Sequence, residues 1–365
     1  MKVLYLSNAI FPDGNAASHR IINNCNLFKS VGLDTELIGN TDLSGRKNKF
    51  RFALSFSETS NQYSLKNQIK IFFFIIKNWN IYQHIIFYNY PVFLNLLILI
   101  TKPLSYRKKV ILDITEWYEV KTINSLKLFI KSIDVLLRNY FLFRFSKRLI
   151  LTSDYYQNLI SDKQIVIELP TLFDKEEFLF KKQKYHKQKM VYFGNPFSLS
   201  DDSNSEKEKV KLLADEIEKC NAISCDFFGF SYEEFCTFYK TTNNYKNIVF
   251  RGKIASSERR QVIPTYLASF VIREDSRMSK VGFPGKLSES LMSSTPVICS
   301  DIKSHKRFES IEGVILLPNN EIASSLSRKS FILRLLELKQ NLLNNNQFYY
   351  DWRKYSSITK HFFGI

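Results

Sequence analysis

Short runs of consecutive apolar residues alternate along this chain with longer stretches in which apolar side chains recur every three or four positions. The runs are Val3–Ser7, Thr35–Gly39, Ile85–Tyr90, Val110–Ile114, Leu149–Ser153 and Ile165–Leu169, and then Met190–Gly194, Cys225–Phe230, Ile248–Arg251, Phe270–Arg273, Pro296–Ser300 and Val314–Leu317. Each has the length of a strand covered on both faces, and most leave room for a helix before the next. Such alternation predicts an α/β protein with parallel sheets and helical crossovers. The polar stretch Asp174–Lys189 separates the two series and reads as a linker. The expected architecture is two doubly wound sheets facing each other.

The opening unit follows this logic. Strand Val3–Ser7 leads into a loop, Asn8–Asn15, and then a helix whose apolar face is Ile21, Cys25 and Phe28. Gly32 stands where a helix terminator belongs. Ligands of open α/β sheets bind beyond the carboxyl ends of strands, so the loop is either a ligand loop or an ordinary βα turn. It has no GxGxxG pattern.

The chain has 365 residues, enough for two domains, with 45% hydrophobic and 24% charged residues, which excludes wholesale disorder. Its net charge is +17, and the first 150 residues carry 21 basic against 9 acidic side chains. A nucleic acid, an anionic membrane or a phosphorylated substrate could use that excess, as could solvent alone. No helix-turn-helix, RNP or zinc-finger pattern accompanies it, so no nucleic-acid partner is expected. The stretch Leu126–Arg148 reads as a basic helix interleaved with Phe129, Phe141, Phe143 and Phe145, suited either to packing or to an anionic membrane surface.

The five cysteines are scattered, with no disulfide framework and no CxxC pair, which fits a reducing cytoplasm. The N-terminus runs into a strand without a signal-peptide layout, and the apolar stretches Ile69–Ile76 and Ile85–Ile100 do not read as transmembrane helices. The histidines make no HxxxH or HExxH spacing, and Asp201-Asp202 lies in a polar loop, so no metal and no cofactor is expected.

Ala268–Ser300 carries the most chemistry. A strand ends at Arg273, and a polar loop brings Arg277 and Lys280. Pro284 and Gly285 then open a helix containing Lys286 and Glu289. Helix N-termini offer free N–H groups and the positive end of the dipole to anions. Several cations crowded there would repel one another unless an anion such as a diphosphate compensated them. Glu289, one turn beyond Lys286, could accept hydrogen bonds from ribose hydroxyls.

These segments resemble the family-4-like GT-B glycosyltransferases of bacterial surface-polysaccharide assembly. The resemblance lies in Met190-Val-Tyr-Phe-Gly-Asn195, Arg251-Gly-Lys-Ile254, Gly282-Phe-Pro-Gly-Lys-Leu-Ser-Glu289 and Thr295-Pro-Val-Ile298. It extends to Val3–Arg20 and Leu112–Tyr118 in the first half. It implies two Rossmann-like domains: an acceptor domain over residues 1–172 and a donor domain over 173–340. A helix within 341–365 would return to the first domain. It further implies a metal-independent, retaining transferase of the hexosyltransferase type, acting in capsule or glycoconjugate synthesis. Such an enzyme moves a sugar from a UDP- or GDP-sugar to a glycan acceptor, lipid-linked in some cases. The setting it implies is cytoplasmic, at the inner face of the membrane.

On that resemblance Lys286 holds the donor diphosphate and Glu289 the ribose, with Gly194, Asn195, Gly282, Phe283, Pro284 and Gly285 lining the donor. Arg273 and Lys280 offset charge on the leaving diphosphate. Glu116 contacts the acceptor hydroxyl or acts as base, unless it is simply a helix-start carboxylate. Asp113 and Glu119 are further candidates on the acceptor side, with Gly14, Asn15 and His19. The chain departs from the pattern at Val281, where a second acid is usual, and at Ser294 in place of a glycine. It also lacks a basic pair after Gly194. These departures suit a catalytically silent partner subunit, and the sequence leaves both readings open.

Overall fold

The structure is a computed structural model that describes residues 1–11, 16–41, 51–57, 64–115, 126–178, 184–195, 208–345 and 348–365. The chain divides into two compact units. The first comprises Met1–Leu172, Val281–Phe283 and Trp352–Ile365, and the second Phe173–Lys280 and Pro284–Asp351.

The first unit is built on seven strands: β1 (Lys2–Phe11), β2 (Asp34–Thr41), β3 (Phe52–Ser57), β4 (His84–Tyr88), β5 (Val110–Ile114), β6 (Arg148–Leu151) and β7 (Ile165–Glu168). They are hydrogen-bonded in the order β3-β2-β1-β4-β5-β6-β7, and the pairings are parallel. All five residues of β5 are buried, which is why this strand is an unbroken apolar run. Each buried Ile or Leu side chain there contributes about 1.5–3 kcal/mol. β1 continues to Phe11, past the end expected at Ser7, because Ile10 and Phe11 pair with Asn40 and Thr41 after a shift in register. β3 was not among the expected strands.

The expected helix Leu126–Arg148 is shorter. An α-helix, Leu126–Leu136, passes into a π-helical segment, Leu137–Leu142, and a last turn, Phe143–Phe145. Arg148 then begins β6, drawn into the sheet by pairing with Ile111 and Ile165. The C-terminal helix Ser356–Phe363 buries Phe362 and Phe363, and the Phe363 ring meets Phe28 edge-on at 5.2 Å. The aromatic residues ahead of it form a turn and a short 3-10 segment, Trp352–Tyr355.

The second unit holds β8 (Lys189–Phe193), β9 (Ser224–Phe228), β10 (Ile248–Gly252), β11 (Ser269–Val271), β12 (Val297–Ser300) and β13 (Val314–Leu317). Their order is β10-β9-β8-β11-β12-β13, again parallel. From β8 the chain builds outward through β9 and β10, then crosses to the other side for β11, β12 and β13. The reversal falls between β8 and β11. The expected linker is partly anchored to this unit: Phe178 is buried and Glu177 meets Arg260 at 2.6 Å.

Candidate functional site

In an open parallel sheet, the crevice beyond the carboxyl ends of the strands at the reversal of strand order is where ligands bind. In the second unit those ends are Gly194, just after β8, and Arg273, just after β11.

The backbone of Arg273 is held at both its N–H and its carbonyl, by two side chains that are themselves joined. Its N–H donates to Ser300 Oγ at 2.7 Å, its carbonyl accepts from Asn319 Nδ2 at 3.2 Å, and Ser300 Oγ donates to Asn319 Oδ1 at 2.6 Å. The guanidinium is buried, with NH2 3.6 Å from Glu208 Oε1. Glu208 is itself positioned by its neighbour, since the Lys209 N–H donates to the carbonyl of Ile272 at 2.9 Å.

Lys286 lies in the first turn of the helix Gly285–Met292, with Pro284 at the N-cap. Its ammonium donates to Glu208 Oε2 and, at 3.0 Å, to the Tyr192 hydroxyl; it also sits 4.3 Å from the Tyr192 ring centroid. The Tyr192 hydroxyl in turn donates to Glu208 Oε2 at 2.5 Å. Burial works to raise the Glu208 pKa, but Lys286 and Arg273 outweigh it and hold the carboxyl below its ordinary value. Burial and the same carboxylate push the Tyr192 phenol well up, so it stays protonated and remains a donor.

Two glycines make room for this cluster. Gly194 has φ +151, and a Cβ there would lie 2.1 Å from Lys286 Nζ. Gly229 has φ +116, and a Cβ there would lie 2.2 Å from the Gly194 carbonyl oxygen. Only a backbone without side chains lets the ends of β8 and β9 approach while the ammonium reaches Glu208.

Glu289 lies one turn beyond Lys286 but faces other partners. It is buried, accepts from Arg259 Nε at 3.0 Å and lies 3.9 Å from Arg260 Nε. Lys280 pairs with Asp275 at 3.4 Å. Asn195 is exposed at the end of β8. Gly282 and Phe283 belong with Val281 to the first unit, whereas Pro284 and Gly285 open the helix in the second. Val281 is fully buried in the first unit's apolar core, and its carbonyl accepts from Thr152 Oγ1 at 3.0 Å. The residue in place of the usual acid therefore has a packing role, and a carboxylate there would be desolvated.

In the first unit Asp113 is a core residue and not the acceptor-side group expected. It is fully buried, hydrogen-bonded to the Tyr5 hydroxyl and paired with Arg20 NH2 at 3.0 Å. Arg20 also donates to the carbonyls of Leu169 and Pro170 at 2.8 Å, tying the helix Ala16–Ser30 to the end of β7. His19 is half-buried on that helix. Gly14, Asn15, Glu116, Glu119 and Asp201-Asp202 lie outside the described residues. Among the described residues, no group of three or more His, Cys, Asp or Glu side chains is arranged to hold a metal ion.

Sequence reasoning thus reached Arg273 and Lys286 but missed Glu208, Tyr192 and the Arg259–Arg260 pair. Tyr192 sat inside a quoted motif without a role. Glu208 sat in the run Ser205-Glu-Lys-Glu-Lys209, whose pattern is that of a solvated loop.

No protein-family model matches the sequence, and no curated protein matches it. Solved structures do. Sucrose-phosphate synthase from Thermosynechococcus elongatus aligns with a TM-score of 0.68 at 12% identity, over 100% of this chain and 98% of that one. HepE from Anabaena, solved in complex with UDP-glucose, gives 0.67 at 10% identity over 100% of both chains. TarM from S. aureus, solved with Fondaparinux, alpha-GlcNAc-glycerol and UDP, gives 0.68 at 8% identity over 100% of both. With two parallel sheets in the observed strand orders and full-length likeness to these structures, the chain has the GT-B glycosyltransferase fold.

Proposed function

We propose that this protein is a glycosyltransferase whose second unit binds a nucleotide-diphosphate sugar, UDP- or GDP-linked, and that the sugar passes to a glycan acceptor, lipid-linked, in surface-polysaccharide or capsule assembly. The observation that carries the reading is the convergence of Lys286 and Arg273 on one carboxylate, Glu208, beyond the reversal point of a parallel sheet. Two cations held around one anion form a setting that a phosphate oxygen could also occupy. In glycosyl transfer the sugar becomes oxocarbenium-like while negative charge grows on the departing diphosphate. Fixed cations stabilise that charge without reorganising during the reaction. Lys286 would grip the diphosphate and Arg273 would offset the growing charge. Glu289 would meet the ribose, and Arg259 already holds its carboxylate in place. Retention at the anomeric carbon and a cytoplasmic setting at the inner membrane face belong to the same reading. UDP is the first nucleotide to test, since structures of HepE and TarM were solved in complex with it.

Calorimetric titration of the purified chain with UDP, GDP and UMP tests this reading, followed by donor-sugar hydrolysis. Binding of a diphosphate, weakened at least tenfold by Lys286→Ala, is expected; a diphosphate that binds no better than UMP would count against it. A second reading draws on Glu208 itself. The site supplies its own counter-ion, and Val281 is committed to packing. Both suit a silent subunit, which would bind nucleotide without turnover in the same assay.

A further inference from the structure

The first unit carries an outward face that its own fold does not cover. Three helical segments lie side by side over one side of its sheet: Leu65–Lys77, Val92–Thr101 and the stretch from Leu126 through the π-helical segment. Their inner residues, Ile71, Ile75, Leu94, Ile98, Val135 and Leu142, pack into the core. Their outer residues are also apolar. Leu104, in the helix that follows Thr101, is 90% exposed, Ile100 74%, Phe73 65% and Ile130 60%. Phe129, Ile133, Leu136, Tyr140 and Phe141 continue the exposed stripe at helical spacing. A soluble surface rarely leaves so many large apolar side chains exposed on adjacent helices unless something binds them.

The charges around the face indicate what binds. From Leu65 to Lys109 the sequence has no acidic residue, and from Leu126 to Lys147 it has only Asp134. Asp134 is engaged, accepting the Val92 N–H at 2.7 Å at the start of its helix. The cations Lys66, Lys70, Lys77, Arg107, Lys108 and Arg144 are exposed. A second copy of the chain would bring like charges together, whereas an anionic lipid surface complements both the apolar stripe and its basic surround. Among the described residues, no helix is long and apolar enough to cross a membrane, so the contact would be peripheral.

We infer that this face of the first unit docks on the surface of an anionic bilayer, with Ile100, Leu104, Phe129 and Ile130 entering the headgroup region and Arg107 and Lys108 meeting anionic headgroups. The inference is independent of the donor reading. Its test is flotation of the purified full chain with phosphatidylcholine vesicles, with and without phosphatidylglycerol, at low and high salt. Binding should require phosphatidylglycerol and weaken at high salt. It should fall at least tenfold in Ile100→Ser/Leu104→Glu and in Arg107→Glu/Lys108→Glu. These four side chains are solvent-facing, so both variants should keep the parent's melting temperature and nucleotide response. Equal binding to neutral vesicles, no binding to either kind, or folded variants that bind like the parent would overturn the inference. So would a concentration-dependent dimer that Leu104→Glu dissolves, which would assign the face to a second copy.

Discussion

Lys286 and Glu208, 78 residues apart in sequence, form a direct ion pair at the mouth of the second sheet, and the carboxylate is almost completely buried. A carboxylate shared with Arg273 sets the resting charge of the site. Any diphosphate arriving there must compete with Glu208 for the same donors.

That competition predicts the behaviour of Glu208→Gln. The amide keeps the size of the side chain but not its charge, leaving two cations uncompensated. UDP should bind about tenfold more tightly, a change of about 1.4 kcal/mol. The unliganded protein should be less stable, toward the low end of the roughly 3–5 kcal/mol typical when one partner of a buried pair is removed. Calorimetric titration and urea denaturation of the same preparation measure the two effects. Weaker UDP binding in the folded variant would mean that Glu208 holds the cations in place for the ligand and does not compete with it.

Gly194 makes a sharper steric prediction. Gly194→Ala adds a methyl group where Lys286 Nζ lies, on a backbone with positive φ. The strain should cost about 1–3 kcal/mol, and the displaced ammonium should weaken UDP binding at least tenfold. In a Lys286→Ala background the same substitution should have little further effect on binding, because the side chain it displaces is gone. Additive losses in the double variant would show that Gly194 acts on the ligand by another route.

All twelve apolar runs became strands; for inner ones such as β5 and β12, a parallel strand buried on both faces needs no alternation to be recognised, only length and flanking breaks. β3 was hidden for the converse reason. Phe52–Ser57 alternates large apolar residues (Phe52, Leu54, Phe56) with small ones (Ala53, Ser55, Ser57) at a sheet edge, and its register is set by β2, which no local pattern announces. Arg273 and Lys286 were legible because a strand end and a helix start each fix a side chain locally. Glu208 was not, since a glutamate among lysines looks solvated until Ile272, Tyr192 and Lys286 enclose it. Asp113 misleads in the opposite direction: a carboxylate at a strand end looks available until Arg20, 93 residues earlier in the chain, arrives from the helix Ala16–Ser30.

Acid should destabilise the fold through two histidines. Burial, with Arg148 nearby, lowers His84 to about 4; burial, with Arg273 nearby, lowers His305 to about 4. Below pH 6.5 the unfolded chain takes up protons that the folded chain refuses. Stability should therefore fall as pH drops from about 6.5 to 4 and then lose nothing more through these groups. Each histidine should cost about 3 kcal/mol across that window. Urea denaturation at pH 7, 5.5 and 4.5 measures the slope, and His84→Phe, which keeps an aromatic ring beside Phe363, should flatten it. An unchanged slope in that variant would remove His84 from the account.

Lys339 should act in the same direction as the histidines, but at the alkaline end of the pH scale. It lies in the helix Lys329–Asn345, fully buried, donating to the Pro264 carbonyl at 2.9 Å and to Thr295 Oγ1 at 2.8 Å. Burial lowers its pKa to about 7. Above pH 7 the folded chain sheds this proton while the unfolded chain keeps it to about pH 10. The unfolded state then binds more protons, and stability rises with pH. Burial also raises Cys25, Cys225 and Cys299, so the unfolded chain loses thiol protons first near pH 9 and the trend reverses. The usable window is therefore about pH 7 to 8.5. There, urea midpoints of the parent should climb with pH, while those of Lys339→Met should stay level. A parallel climb in both proteins would mean that the ammonium is solvated in the folded state and that Lys339 has no part in the slope.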